Sequence, residues 1–318
     1  MYNEEIKRRF LDSVTNADVL KACKSVFNSL EQIERKYQKD LIQLSEFEVL
    51  NLADILELTN HRQVLNYRVG LMSYLDWCEN NSVFDNIDHG ILSVLEPDMD
   101  LSSSISKLYF RDENDLVYSM KKVIDFDDGF LAPVIFCLAW IGLKRSEILQ
   151  IKDSDVSMND RSISLCNGMV FRFNETVADV LQRHIICDVG HRDRKQGTYE
   201  VFKDKSRDEF IKGFYVGGAK WFGTPLTNSK ISTAITYLQD KYIDMGFLPR
   251  FRYMNVWNSG RYHTLWQYEQ GGVDIFAKES ISLVSDVFRD SAILLTSERG
   301  NLRYTLRTYR DYKKAFNL

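Results

Sequence analysis

Residues 131–156 constrain this chain more than any other stretch. Leu131 to Leu143 is almost unbroken apolar sequence. Gly142 then supplies a tight turn, and Lys144-Arg145-Ser146-Glu147 opens a second helix with basic and capping residues. The apolar run is shorter than the roughly 18 residues a bilayer requires, and Pro133 lies within it. It predicts a buried core helix, followed after the turn by a second helix.

A length of 318 residues predicts two domains, each with its own core. An apolar fraction of 44% excludes a disordered chain. With only 4 prolines and long periodic apolar segments, the fold class is mainly α. Met1 to Arg9 lacks an apolar signal region, and the five cysteines (Cys23, Cys78, Cys137, Cys166, Cys187) form no C-x-x-C pair. These features predict a cytoplasmic protein with reduced, structural cysteines, no membrane partner, no metal and no cofactor.

The net charge of −4 argues mildly against a nucleic-acid partner. Its distribution argues the other way. Acid gathers early, at Glu46, Glu48, Asp54, Glu57, Asp85, Asp88, Glu96, Asp98 and Asp100. Base gathers late, at Arg250, Arg252, Arg261, Arg303, Arg307, Arg310, Lys313 and Lys314. One basic face on an acidic molecule and a set of solvated helix faces both fit that asymmetry.

Helical periodicity marks residues 17–40, 44–58 and 61–80. Ser45 and Glu48 make a capping box, and Val64, Leu65, Tyr67, Leu71, Tyr74, Leu75 and Trp77 form an apolar face. Glu96 to Ser104 is polar and turn-rich, which predicts a linker at 96–105 between domains at 1–95 and 106–318. A helix is expected over Tyr109 to Val123, with Asp112 and Glu113 at its positive end. Ser162 to Leu165 and Val170 to Phe173 alternate around Asn167-Gly168, a hairpin signal. A helix follows at Glu175 to His184. Asp188 to Lys220 is polar, an insertion or mobile surface loop, and its His191 to Lys195 run is better read as solvated charge than as a DNA contact. A basic helix spans Leu302 to Phe316.

Gly142-Leu143-Lys144-Arg145-Ser146-Glu147-Ile148, ending at Asp155, resembles the first signature box of the tyrosine recombinase (phage integrase) family, G-L-R-x-S-E-L-x-x-L-x-x-x-D. Lys144 stands where that box carries a catalytic arginine. Asn258-Ser259-Gly260-Arg261-Tyr262-His263-Thr264 resembles the second box, H-x-L-R-H-T, with Asn258 for the first histidine and Arg261 for the second arginine. The third box, L-G-H, falls in Phe276 to Phe288, where no histidine occurs. The hairpin lysine that would protonate the leaving hydroxyl is missing, since no lysine lies between Lys152 and Lys195. Tyr304 and Tyr309 are both positional candidates for the nucleophile.

The resemblance implies an integrase-like two-domain clamp: a helical core-binding-like (SAM-like) domain at 1–95 and a recombinase-type domain with a small antiparallel sheet at 106–318. It also implies double-stranded DNA as the partner. Losing one transition-state donor lowers a rate by about 100- to 1000-fold, and lysine does not reproduce the fork of a guanidinium. Lys144, Asn258, Arg261, Tyr304 and Tyr309 are therefore read as vestigial, while Lys144, Arg145, Arg252, Arg261, His263, Arg303 and Arg307 remain candidates to hold DNA. The expected function is a non-catalytic transcriptional repressor occupying operators, similar to the master repressors that maintain lysogeny in SPβ-type Bacillus prophages, with a regulatory protein or peptide antagonist as a further partner. An active recombinase with relocated residues and a protein-binding module are the alternatives.

Overall fold

The computed structural model describes residues 1–124, 131–187, 189–194, 197–203, 208–211, 214–216, 227, 229, 232, 250–290 and 301–318. The chain is mainly helical with small antiparallel sheets, and it divides into two compact units. The first is Met1–Ser106 with Asp290–Leu318; the second is Lys107–Arg289. The second unit ends well before residue 318, because the C-terminal helix packs with the N-terminal residues. The stretch expected as a linker is part of the first unit: Leu101 is fully buried, and a helix starts at Ser102.

In the first unit, α1 (Glu4–Ser13), α2 (Ala17–Tyr37) and α4 (His61–Asn80) form the helical frame. Asn16 caps α2 by accepting from the Asp18 and Val19 amides. Asn60 caps α4, accepting from the Gln63 N–H at 3.0 Å. Phe10, Phe27 and Tyr74 pack ring against ring at 5.0–6.1 Å in the core between them. The expected helix over 44–58 is broken into 3-10 turns and α3 (Leu52–Ile55). Its capping box does form, with Glu48 accepting from the Ser45 N–H at 2.8 Å. The segment continues through α5 (Gly90–Val94) and α6 (Ser102–Leu108).

In the second unit the expected helix over 109–123 starts later, as α7 (Glu113–Ile124), because Tyr109 and Phe110 are buried in the approach to it. Asp112 caps it, accepting from the Asp115 N–H at 2.8 Å. The apolar run is α8 (Leu131–Trp140), buried throughout Ala132–Trp140, and α9 (Arg145–Ile148) follows. Then come β1 (Val156–Ser157), β2 (Ser162–Ser164) and β3 (Val170–Arg172), paired antiparallel in that order, and α10 (Glu175–Ile186). Gly168 takes φ +83° in the β2–β3 turn, a value that favours glycine.

Residues 188–220, expected as a loop, contain a second antiparallel sheet. β4 (Val189–Arg194) pairs with β5 (Gly197–Lys203), and β5 with β6 (Phe214–Val216). His191–Arg194 of the basic run lie in β4, while Lys195 is outside the described residues. The unit closes with α11 (Tyr253–Gln270) and α12 (Ile281–Phe288). The final helix of the chain, α13 (Asn301–Phe316), packs against α4 in the first unit.

Candidate nucleic-acid interface

The turn after α8 is built around Gly142, whose φ of +104° other residues rarely adopt. α11 holds that turn: Tyr253 Oη donates to the Leu143 carbonyl at 2.5 Å and Trp257 Nε1 to the Gly142 carbonyl at 3.3 Å. Gly260 lets α11 approach α8 so closely that a Cβ there would lie 2.0 Å from the Trp140 carbonyl oxygen.

That approach delivers Arg261. Its Nη2 donates to the Trp140 carbonyl at 2.8 Å and its Nη1 to the Val287 carbonyl at 3.5 Å. Both carbonyls sit in the last turns of helices, where no amide of the helix itself is available to them. Arg261 as a residue is 7% exposed, and its Nε has no hydrogen-bond partner among the described residues. Burial, then the charge of Arg289, lowers its pKa to about 10, so it remains a cation at neutral pH. A Cβ on Gly142 would meet this guanidinium at 2.3 Å, so the turn glycine and the arginine are fitted to each other.

Sequence alone does not single out Arg289; its only signal is a cation just beyond the stretch where the third box places histidine. Its Nη2 and Nη1 donate to the two Glu147 carboxylate oxygens at 2.5 and 2.6 Å, and it lies 5.3 Å from the centroid of the Phe171 ring. Glu147 also accepts from the Lys144 N–H at 2.7 Å, so the start of α9, the end of α12 and β3 are drawn together. Lys144 is exposed, with Nζ 3.4 Å from the Arg289 carbonyl. Arg145 is half-buried over the Tyr253 ring at 4.6 Å and donates to Ser232 Oγ at 3.3 Å. A cleft of about 810 Å³ opens beside these groups, lined by Trp140, Phe171, Arg261, Tyr268, Asp286 and Arg289 among others.

Burial raises the Glu147 pKa, but the Arg289 hydrogen bonds and the Lys144 amide outweigh it and hold the carboxyl below its ordinary 4.5. A carboxylate depressed in the folded state contributes stability that is present above its unfolded value and lost as pH falls through its folded one. Wild type should therefore exceed Glu147→Gln in unfolding free energy at neutral pH, and the gap should close below about pH 4. Denaturant titrations of both proteins across that range check it; a gap that persists in acid would rule out the ionised pair as its source.

The other expected site residues are distributed as follows. Asn258 is half-buried and donates to Tyr109 Oη at 3.2 Å. His263 is buried: its Nδ1 is 3.1 Å from the Arg111 carbonyl and its Nε2 3.3 Å from Glu113, with Trp140 and Trp266 against the ring. It holds α11 to the start of α7 and does not face solvent. Arg252 is exposed as the N-cap of α11. Its neighbour Arg250 is drawn inward to the Tyr109 carbonyl and Asp115.

Arg303, Arg307, Tyr304 and Tyr309 lie on α13 and so belong to the first unit, whereas Lys144, Asn258 and Arg261 belong to the second. Tyr309 is 0% exposed, Tyr304 is half-buried and Arg303 is exposed. Arg307 Nη1 donates to the Pro97 carbonyl at 2.7 Å.

Comparisons with known proteins bear mainly on the first unit. Residues 1–80 match the family model described as the N-terminal core-binding domain of MrpR. A crystal structure of the XerA recombinase aligns over 99% of this chain and 98% of that one, with 12% identity and a TM-score of 0.39. No curated protein matches the chain. Among the described residues no group of His, Cys, Asp or Glu could hold a metal ion, and no helix is long and apolar enough to cross a membrane.

Proposed function

We propose that this chain is a sequence-specific duplex-DNA-binding protein of the tyrosine recombinase type that does not cut its DNA and acts as a transcriptional repressor, of the kind that maintains a prophage in the lysogenic state. The match of residues 1–80 to a core-binding domain supports the DNA-binding part. The repressor part follows from what the cationic cluster lacks.

The observation that carries the reading is the commitment of Arg261. Phosphoryl transfer needs preorganised cations on the reacting phosphate and an acid for the leaving oxygen. Arg261 is buried and holds two helix-end carbonyls, and Arg289 is spent on Glu147. Lys144, in place of an arginine, is exposed, and the β2–β3 turn carries Asn167-Gly168 and no lysine. Tyr309, one of the two positional candidates for the nucleophile, is fully buried in the first unit. Binding a phosphate backbone makes smaller demands than cleaving it, and exposed cations such as Lys144 and Arg252 meet them.

An active recombinase is the second reading, favoured by the half-buried Tyr304 and by Tyr268 in the wall of the cleft. One experiment separates the two. Purified protein is mixed with fragmented DNA from its source replicon, and the retained fragments are treated with denaturant. Specific fragments released intact are expected. Fragments left covalently attached, and lost with Tyr304→Phe or Tyr268→Phe, would establish the recombinase reading. Retention without sequence preference, or none even at low salt, would remove the repressor.

A further inference from the structure

The C-terminal helix carries a charge pattern that the cleft of the second unit does not use. α13 has five cations (Arg303, Arg307, Arg310, Lys313, Lys314) and one acid (Asp311), a net of +4 within a chain of net charge −4. Arg303, Arg307, Arg310 and Lys314 follow one another at four-, three- and four-residue steps, so they share one face of the helix over about 16 Å. Arg303, Arg310 and Lys314 are exposed.

The opposite face is committed to the first unit. Thr308, Tyr309 and Tyr312 are fully buried there. Thr308 Oγ1 accepts from the His61 N–H at 3.3 Å, and Asp311 Oδ2 lies 2.7 Å from His61 Nε2. The one acid of the helix is thus turned inward, and the outward face carries four cations, of which Lys314 is paired with Asp100. Arg307 on the Pro97 carbonyl and Lys314 on Asp100 fix that face from its flank. Arg62, exposed in the first turn of α4, donates to Asn301 Oδ1 at 3.2 Å and so joins the stripe at its N-terminal end. Arg62 also lines a groove of about 490 Å³ with Asp18, Lys21 and Asn66.

Resting on the reading of the chain as a DNA-binding protein, we propose that this outward face of α13, continued by Arg62, is a sequence-independent contact for the sugar-phosphate backbone of duplex DNA. A helix that delivers its apolar side to a membrane surface or to a second protein must keep that side free. Here that side is spent within the first unit, and what remains is a row of guanidinium groups ending in one ammonium, which suits a polyanion. Because the helix is held by its packed face and by Arg307 and Lys314 on residues 97–100, little backbone freedom is left to be lost on binding.

The test uses the full chain, a mixed-sequence fluorescent duplex as probe, and the double variant Arg303→Gln/Arg310→Gln, whose sites point away from the packed face. Thermal unfolding of the variant should match wild type. The slope of log affinity against log salt should become shallower by about 1.8, and affinity near 0.1 M salt should fall about tenfold or more. Wild-type binding with an unchanged slope and affinity in the variant overturns this inference and leaves the repressor reading standing. Failure of the wild type to bind any duplex at low salt overturns both. If the variant melts lower than wild type, the charge-keeping double variant Arg303→Lys/Arg310→Lys decides: a recovered slope supports the contact and an unrecovered one overturns it.

Discussion

Gly260→Ala should destabilise the second unit by about 3 kcal/mol or more, although alanine is the better helix former by up to about 1 kcal/mol. The added Cβ would lie 2.0 Å from the Trp140 oxygen and 2.8 Å from its carbonyl carbon. Both are backbone atoms at the end of a buried helix, so no side chain can swing aside. α11 and α8 must separate by roughly an ångström, and core packing does not absorb that. The separation also pulls Arg261 from the Trp140 carbonyl and leaves a buried acceptor unpaired, at about 1–3 kcal/mol. Gly271→Ala is the control: the nearest atom to its Cβ is 3.3 Å away, at the solvent end of the same helix. In thermal unfolding the Gly260 variant should melt roughly 6–12 °C below wild type, and the control within about 2 °C of it. Equal melting of both variants would mean that the α8–α11 approach is looser than described.

Much of this region was legible in the sequence, because the signals are local. The run Leu131 to Leu143, the turn at Gly142 and the hairpin at Asn167-Gly168 each declare themselves within a few residues. The order of the boxes also singled out Arg261 as a candidate site residue. The sequence could not say that the Arg261 guanidinium faces two carbonyls, which depends on α8 and α12 ending beside it. The second sheet was missed because β4 is Val-Gly-His-Arg-Asp-Arg, a run without strand propensity, and Lys195-Gln196 after it lacks a hairpin signal. The docking of α13 rests on contacts such as His61 with Asp311, 250 positions apart, which no local pattern records. Periodicity identified a basic helix but not which unit would receive its apolar face.

Lys7 is the clearest case of a residue hidden by its neighbours, and its removal should do comparable damage to the first unit. In sequence it sits in Glu4-Glu5-Ile6-Lys7-Arg8-Arg9 and reads as part of a solvated face. In the structure its ammonium is fully buried, bonded to both Glu34 carboxylate oxygens, 4.0 Å from Asp40 and 4.9 Å from the centroid of the Phe27 ring. Glu34 also accepts from the Leu41 N–H at 2.8 Å, and Asp40 from Tyr74 Oη at 3.2 Å. The cation thus balances two carboxylates that fix how the turn after α2 meets α1 and α4. Lys7→Ala leaves both of them buried without it, which should lower unfolding free energy by about 3–5 kcal/mol.

The pH dependence identifies the cause. Burial, outweighing the attraction of Lys7, raises the Glu34 pKa from 4.5 to about 7. A carboxyl raised in the folded state contributes stability that is present below its unfolded value and lost as pH rises through its folded one. Without Lys7 that rise is larger, so the Lys7→Ala deficit should be greatest near pH 8 and shrink toward about pH 5, where Glu34 is neutral. Lys7→Met/Glu34→Met, which removes the pair together, should recover a substantial part of the loss at about pH 8. Denaturant unfolding of the single and double variants at the two pH values reads both effects. A deficit independent of pH and undiminished in the double variant would show that Lys7 acts through the packing of its stem on Phe27, with its charge irrelevant.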